Sequence, residues 1–354
     1  MTKLSETDKC CTKKQHKAAI SRQINKKGLN KNFKIFINYF LGPVFFIIIS
    51  WSLYSQIINQ PDLPQRWEQI KLSWTNWKFW FVLVLMMLNW GIEGKKWQIL
   101  VGHVEKLSFI KSFKSVLSGC SITMITPNRV GEYGGRILYV EEENRIKAIS
   151  LTIVGSISQL LVTMLMGCTG LFYLRFFSQN VDNASGVLPD FWGDVLIYLS
   201  VGITIVILLF YLRIGWLVRN MEKLPAMQKV VQHIRVLDEF DDKQLLKVLV
   251  LSFFRYLVFV LQYVLLLQLM HVGVGSFLSF WLITVFYLVM AVAPTMGFVE
   301  LPIRVTACWA IFKFYTHNEL GVGAAALGIW LINLVLPAII GSLLILSVKI
   351  LKER

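Results

Sequence analysis

Seven stretches of this 354-residue chain carry no charged side chain at all: Ile35–Ile58, Phe79–Ile92, Ala148–Leu174, Val195–Leu212, Leu257–Met270, Val272–Val299 and Gly321–Val348. A bilayer core of roughly 30 Å is crossed by about 20 apolar residues of helix. Most of these runs reach that length alone or with their flanks. Hydrocarbon cannot satisfy a backbone N–H or C=O, so segments of this kind must close their hydrogen bonds internally, as helices do. A soluble domain of this size carries about a quarter charged residues. Here the share is 16%, with 55% hydrophobic residues and a mean hydropathy of +0.58. An all-α polytopic membrane protein is expected.

The net charge of +15 is unevenly placed. Residues 1–34 hold ten Lys/Arg against Glu6 and Asp8, a second basic group runs from Lys95 to Lys114, and a third from Arg213 to Lys247. The stretch 59–76 has only Arg66 and Lys71, and 176–194 contains Arg at neither end nor within. Lys and Arg gather in cytoplasmic loops, which sets the expected threading: both termini cytoplasmic, in a bacterial cytoplasmic membrane. A basic tail over 1–34 suits the anionic inner leaflet better than a nucleic acid. No cleavable signal peptide is expected, because more than thirty polar residues precede the first apolar run.

Threaded in this way, residues 35–350 form one transmembrane domain. Spans are expected at about 36–58, 77–97 (ending at Glu93, Lys95 and Lys96), 149–174, 195–212, 248–270 and 321–348. Trp74, Trp77 and Trp80 suit an interface. The cytoplasmic segment 213–247 should carry an amphipathic helix near Met227–Phe240, lying on the inner surface. Two regions do not fit a simple span. Residues 108–147 have basic ends and, between Lys114 and Arg129, an uncharged Ser/Thr/Gly-rich stretch of 14 residues, too short to cross. Residues 272–316 are broken at Pro294. Each reads as a re-entrant hairpin, the first dipping in from the cytoplasm and the second from outside. The expected fold is therefore about six spanning helices plus two re-entrant helical hairpins in an inverted-topology repeat.

The two breaks share an order of residues: Pro127, Gly131, Glu132, Arg136 in the first and Pro294, Gly297, Glu300, Arg304 in the second. Proline ends a helix and glycine lets the chain turn. Interrupted hydrophobic segments at corresponding places in two halves point to a transporter's substrate site. Arginine is the side chain best shaped for phosphate, because its planar fork engages two oxygens. The candidate substrate-binding residues are Arg129, Glu132, Arg136, Glu300 and Arg304. The i,i+4 spacing of each Glu/Arg pair also allows a second reading, salt bridges that make short helices tolerable in lipid. Ionisable groups inside a membrane are costly and mark function more often than not. Arg255, in the fifth span, either lines the cavity or snorkels inward. Asn89 and Gln159 suit interhelical hydrogen bonds. The five cysteines and five histidines show no ligand spacing, so neither a metal nor a cofactor is expected. Cys10–Cys11 is an unmodified or an acylated cytosolic pair.

Lys-Lys-Trp97-Gln-Ile-Leu, Thr-Pro127-Asn-Arg-Val-Gly-Glu132-Tyr-Gly-Gly-Arg136 and Pro294-x-x-Gly-x-x-Glu300 together resemble the lysylphosphatidylglycerol synthase transmembrane region, a flippase-like family, over roughly residues 35–350. The resemblance implies a bacterial membrane protein that moves lipids between leaflets. The synthases of that family carry a cytoplasmic aminoacyl-transferase domain after this region. The sequence ends at Arg354, so a stand-alone member without that domain is expected. The leading expectation is a flippase or flippase-like transporter for a phospholipid or glycolipid with a phosphate-bearing headgroup, passive or ion-coupled, with homo-oligomerisation left open. A membrane-embedded transferase or hydrolase acting on a lipid headgroup, and a non-catalytic partner of a lipid-modifying enzyme, are the rivals.

Overall fold

The structure is a computed structural model that describes residues 64, 68, 71–126, 130–177, 190–223, 234–292 and 300–352. The expected first span, the basic tail, and the break residues Pro127, Arg129, Pro294 and Gly297 lie outside the described residues. Those described form helices, with no strand among them. In chain order these are α1 (Trp77–Val101), α2 (Phe109–Ile125), α3 (Gly131–Ile137), α4 (Arg145–Phe176), α5 (Asp190–Leu212), α6 (Ile214–Glu222), α7 (Asp242–Leu269), α8 (Ser276–Val292), α9 (Glu300–Phe312), α10 (Glu319–Trp330) and α11 (Leu336–Lys352).

The sequence marks many of these ends. Asn76 and Ser108 accept hydrogen bonds from Lys78 N and Lys111 N at the starts of α1 and α2. Asp241 and Gln244 form a reciprocal cap at the start of α7. Just beyond α7, His271 takes a left-handed φ of 52°. Asn318 then caps α10 through Gly321 N and donates its amide to Met270 O and His271 O, each at 3.1 Å, tying that turn to α7. Between α10 and α11 the chain makes a π-turn, Leu331–Val335, ahead of Pro337. Proline lacks an N–H and its ring crowds the carbonyl four residues back; the wider turn gives Asn333, at that position, room to keep the helix continuous.

Four helical stretches are long and apolar enough to cross a bilayer: Glu142–Phe176, Asp194–Leu212, Asp242–Leu269 and Glu319–Leu346. α1 matches them in length with 25 residues but carries Lys78, Glu93, Lys95 and Lys96. By contrast α2 and α8 have 17 residues each, α9 has 13 and α3 has 7. At 1.5 Å per residue the longest of these reaches about 25 Å, short of a full hydrocarbon core.

α2 and α3 pack antiparallel through small residues. Ser115 Oγ donates to Arg136 O at 2.8 Å, Ser118 meets Tyr139, and Gly119 faces Gly135. A β-carbon at Gly135 would land on the Gly119 backbone, so the pair of glycines sets the separation. α1 and α7 form an antiparallel central pair, joined by Lys78–Gln268, Gln262–Val82, Arg255–Asn89 and His103–Gln244 hydrogen bonds along its length. The short helices cross over to the far half of the chain. α2 packs on α11, where Gly341 meets Leu117 and Cys120 meets Leu334. α8 packs on α4, where Gly167 meets Leu288, Gly170 meets Thr284 and Tyr173 stacks on Trp281 at 5.0 Å. Without a hydrophobic drive between helices in lipid, close packing of small residues is what holds such contacts. α5 leans on α4 through Cys168, Ser200 and Thr204, and Tyr211 donates to Leu245 O at 2.8 Å.

Three helices have bounds that differ from the spans expected of them. The second span does not stop at Glu93–Lys96: α1 runs on to Val101 with Glu93 and Lys96 buried, because their charges are answered by other helices. α6 is an amphipathic helix of the 213–247 segment. Of the stretch expected to be helical at 227–240, residues 227–233 lie outside the described residues, and Arg235–Glu239 is a 3-10 turn whose Asp238 reaches back to Arg219 at 3.3 Å. The fifth span begins at Asp242 rather than 248, and the third at Arg145 rather than 149, each where a cap or turn supplies the start.

Candidate functional site

α1, α2, α3, α4, α7, α8, α9, α10 and the π-turn line a cavity of about 470 Å³. Its wall carries seven acidic or basic side chains, the carboxylates Glu93, Glu132 and Glu300 and the cations Lys96, Arg136, Arg255 and Arg304. One positive charge is left in excess.

The two Glu/Arg pairs from the sequence breaks are both here. On α3, Arg136 reaches Glu132 one turn earlier through Nη2, and the arginine is only 2% exposed. On α9, Arg304 Nη2 lies 2.7 Å from Glu300 Oε1. Both guanidinium groups also lie over aromatic rings, Arg136 over Trp97 at 5.2 Å and Arg304 over Phe286 at 5.8 Å. Cation–π contact stabilises a charge withdrawn from water. Each pair thus comes from a short helix in a different half of the chain, and the fold brings the two to one chamber. Gly131 opens α3 and sits against Ile122 and Thr126, where no side chain fits.

Arg255 faces the cavity. Its Nε donates to Asn89 Oδ1 at 2.9 Å and its Nη1 to Gln159 Oε1 at 3.3 Å, and Nη1 also lies 3.2 Å from Glu93 Oε2. The amides of Asn89 and Gln159 therefore do make the interhelical bonds expected of them, and their partner is this arginine.

Sequence reasoning missed the centre of the site. Glu93 and Lys96 had been read as charges at a helix end; they are 3% and 1% exposed. Glu93 receives Lys96 Nζ at 2.7 Å, Arg136 Nη2 at 2.6 Å and Arg255 Nη1 at 3.2 Å. A spacing signal was present: Asn89, Trp90, Glu93, Lys96 and Trp97 fall on one helical stripe, and the exposed Lys95 falls off it. The rest of the wall is mixed, with Ser156, Gln159, Thr163 and Asn333 on one hand and Trp90, Phe259 and Trp330 on the other. Among the described residues, several buried donors have no acceptor, including Arg136 Nε and Nη1, Arg304 Nε, Asn89 Nδ2 and Trp90 Nε1. An arrangement of this kind favours an anionic, oxygen-rich group at its polar end beside apolar surface. No grouping of three or more metal-type side chains occurs among the described residues.

Comparison with known proteins agrees with this architecture. The family model described as lysylphosphatidylglycerol synthase TM region matches residues 39–341. No curated protein matches the chain.

Proposed function

Since the chain belongs to the lysylphosphatidylglycerol synthase TM region family, we propose that it moves a phospholipid or glycolipid with a phosphate-bearing headgroup between the leaflets of a bacterial cytoplasmic membrane. The headgroup enters the cavity while its acyl chains stay in lipid. Arg136 and Arg304, with Arg129 near the first break, hold the phosphate. Glu132 and Glu300 orient these arginines, and Arg255 closes the wall between them.

One observation carries this reading: the Glu/Arg pairs of two short helices, from opposite halves of the chain, line a single chamber with a cationic excess. Ionisable groups inside a membrane protein pair with one another or face a polar cavity and mark substrate pathways, so a chamber lined by them suits a polar occupant. The packing supports an inverted repeat of re-entrant hairpins. α2 lies on α11 and α8 lies on α4, while α1 and α7 pair at the centre. Exchanging α1, α2 and α4 for α7, α8 and α11 maps these three contacts onto one another, which suits a site approached alternately from both faces. Both termini are then cytoplasmic, and the basic tail lies on the anionic inner leaflet.

Liposomes holding the purified protein and a fluorescent phospholipid test the proposal. Wild-type protein should expose inner-leaflet probe to an external quencher with the lipid chemically unchanged. Glu132→Gln and Arg304→Ala should each lower the rate at least about ten-fold, the loss expected when one charge-assisted contact to the moving group is removed. Full activity in both folded variants removes these residues from the site. A changed headgroup in the recovered lipid would point instead to an embedded enzyme.

A further inference from the structure

Glu93 differs from the other two carboxylates of the cavity. Glu132 and Glu300 each hold an arginine of their own helix, four residues on. Glu93 instead lies where cations of three helices converge: Lys96 of α1 at 2.7 Å, Arg136 of α3 at 2.6 Å and Arg255 of α7 at 3.2 Å. Two guanidinium groups and an ammonium around one pair of oxygens is the coordination a phosphate would receive. Among the described residues, the same cluster retains donors without an acceptor, Arg136 Nε and Nη1 and Asn89 Nδ2. A two-oxygen carboxylate cannot reach them all. A phosphate, with more acceptor oxygens, has more to offer them.

We infer that Glu93 is a built-in counter-anion, occupying the cation cluster in the empty cavity and yielding Arg136 and Arg255 to the headgroup phosphate on entry. The inference rests on the lipid-transport reading and adds to it the reason a bound headgroup leaves. Three buried cations alone would hold a phosphate too tightly for turnover. A tethered carboxylate that competes for the same donors weakens binding and takes the cations back on release. Glu93 is thus a positioning residue, acting on the substrate through Arg136 and Arg255.

The test compares full-length wild-type protein with Glu93→Gln, which keeps the shape and removes the charge. Two quantities are read: binding of dihexanoyl phosphatidylglycerol in detergent by titration calorimetry, with dihexanoyl phosphatidylcholine as the net-neutral control, and movement of labelled phosphatidylglycerol in vesicles. Glu93→Gln should bind the anionic lipid roughly ten-fold more tightly, gain far less for the neutral one, and move the labelled lipid several-fold more slowly at saturation. Glu93→Asp, which keeps the charge but draws it back by one methylene, should shift both quantities the same way and by less. Unchanged affinity in Glu93→Gln overturns the inference, as do weaker binding with slower movement and binding of dihexanoyl phosphatidylglycerol by neither protein. Should both variants fail to fold, Glu93 is a structural clamp and the inference is likewise overturned. Wild-type vesicles in which no lipid moves would overturn the transport reading alone, because the binding comparison still decides whether Glu93 competes with phosphate.

Discussion

Arg255 reaches into the cavity from the middle of α7 and meets Asn89 and Glu93 of α1 and Gln159 of α4. Its guanidinium also lies over Phe259 at 5.2 Å and Trp90 at 5.7 Å. A planar fork makes all of these contacts at once, and a lysine would keep the charge without the geometry. Arg255→Met should therefore strand the two amide oxygens and remove one of the three cations on Glu93. A loss of about 2–4 kcal/mol is expected, since a buried partner left uncompensated costs that much, read as a lowered unfolding midpoint in detergent. Midpoints within error of wild type would mean that the cluster adds nothing to stability. The residue scale also shows where sequence reading ran out. The Glu132/Arg136 and Glu300/Arg304 pairs were legible because each lies within one helical turn beside a proline or glycine. Glu93 was not, because what withdraws it from the interface is Arg136 and Arg255, 43 and 162 positions away in sequence, and nothing local records their approach.

Among the elements, the hairpin α2–α3 depends on missing side chains. Gly119 and Gly135 let the two backbones touch, while Ser112, Ser115 and Ser118 keep the α2 face narrow and buried. Gly135→Ala puts a methyl group against the opposing backbone, and overpacking of this kind costs about 1–3 kcal/mol. The expected result is a lower melting midpoint and, because α3 carries Glu132 and Arg136, loss of lipid movement in vesicles. Gly134→Ala is the control, since a β-carbon there meets nothing within 4 Å. Equal effects of the two would show that helix propensity, not close approach, decides. The shortness of α2 was readable from its 14 uncharged residues between Lys114 and Arg129. The early start of α7 at Asp242 was not, because the capping pair Asp241–Gln244 precedes the apolar run that drew attention.

At the scale of the whole molecule, re-entrant hairpins make a topological prediction. Single cysteines introduced at Ser108 and Glu142, which flank the first hairpin, should both react with an impermeant maleimide from the cytoplasmic face. Cysteines at Ser276 and His317, which flank the second, should both react from the opposite face. Labelling of Ser108→Cys and Glu142→Cys from opposite faces would make α2–α3 a crossing and remove the repeat. The helical membrane fold was legible throughout, from the uncharged runs alone. The crosswise packing was not, because α2 on α11 and α8 on α4 are contacts between small and apolar residues that any pair of membrane helices could make.

That crosswise arrangement bears on how the protein is made. A ribosome finishes α2 and α3 just over two hundred residues before Gly341 of α11 is added. Until then the nascent hairpin lacks the surface that seats it, and until α7 is made Arg136 has Glu132 and Glu93 for company but no Arg255 beside them. The early half must be held, by the insertion machinery or by its own ion pairs, through most of synthesis. Completion of the chamber waits for the π-turn at Leu331–Val335.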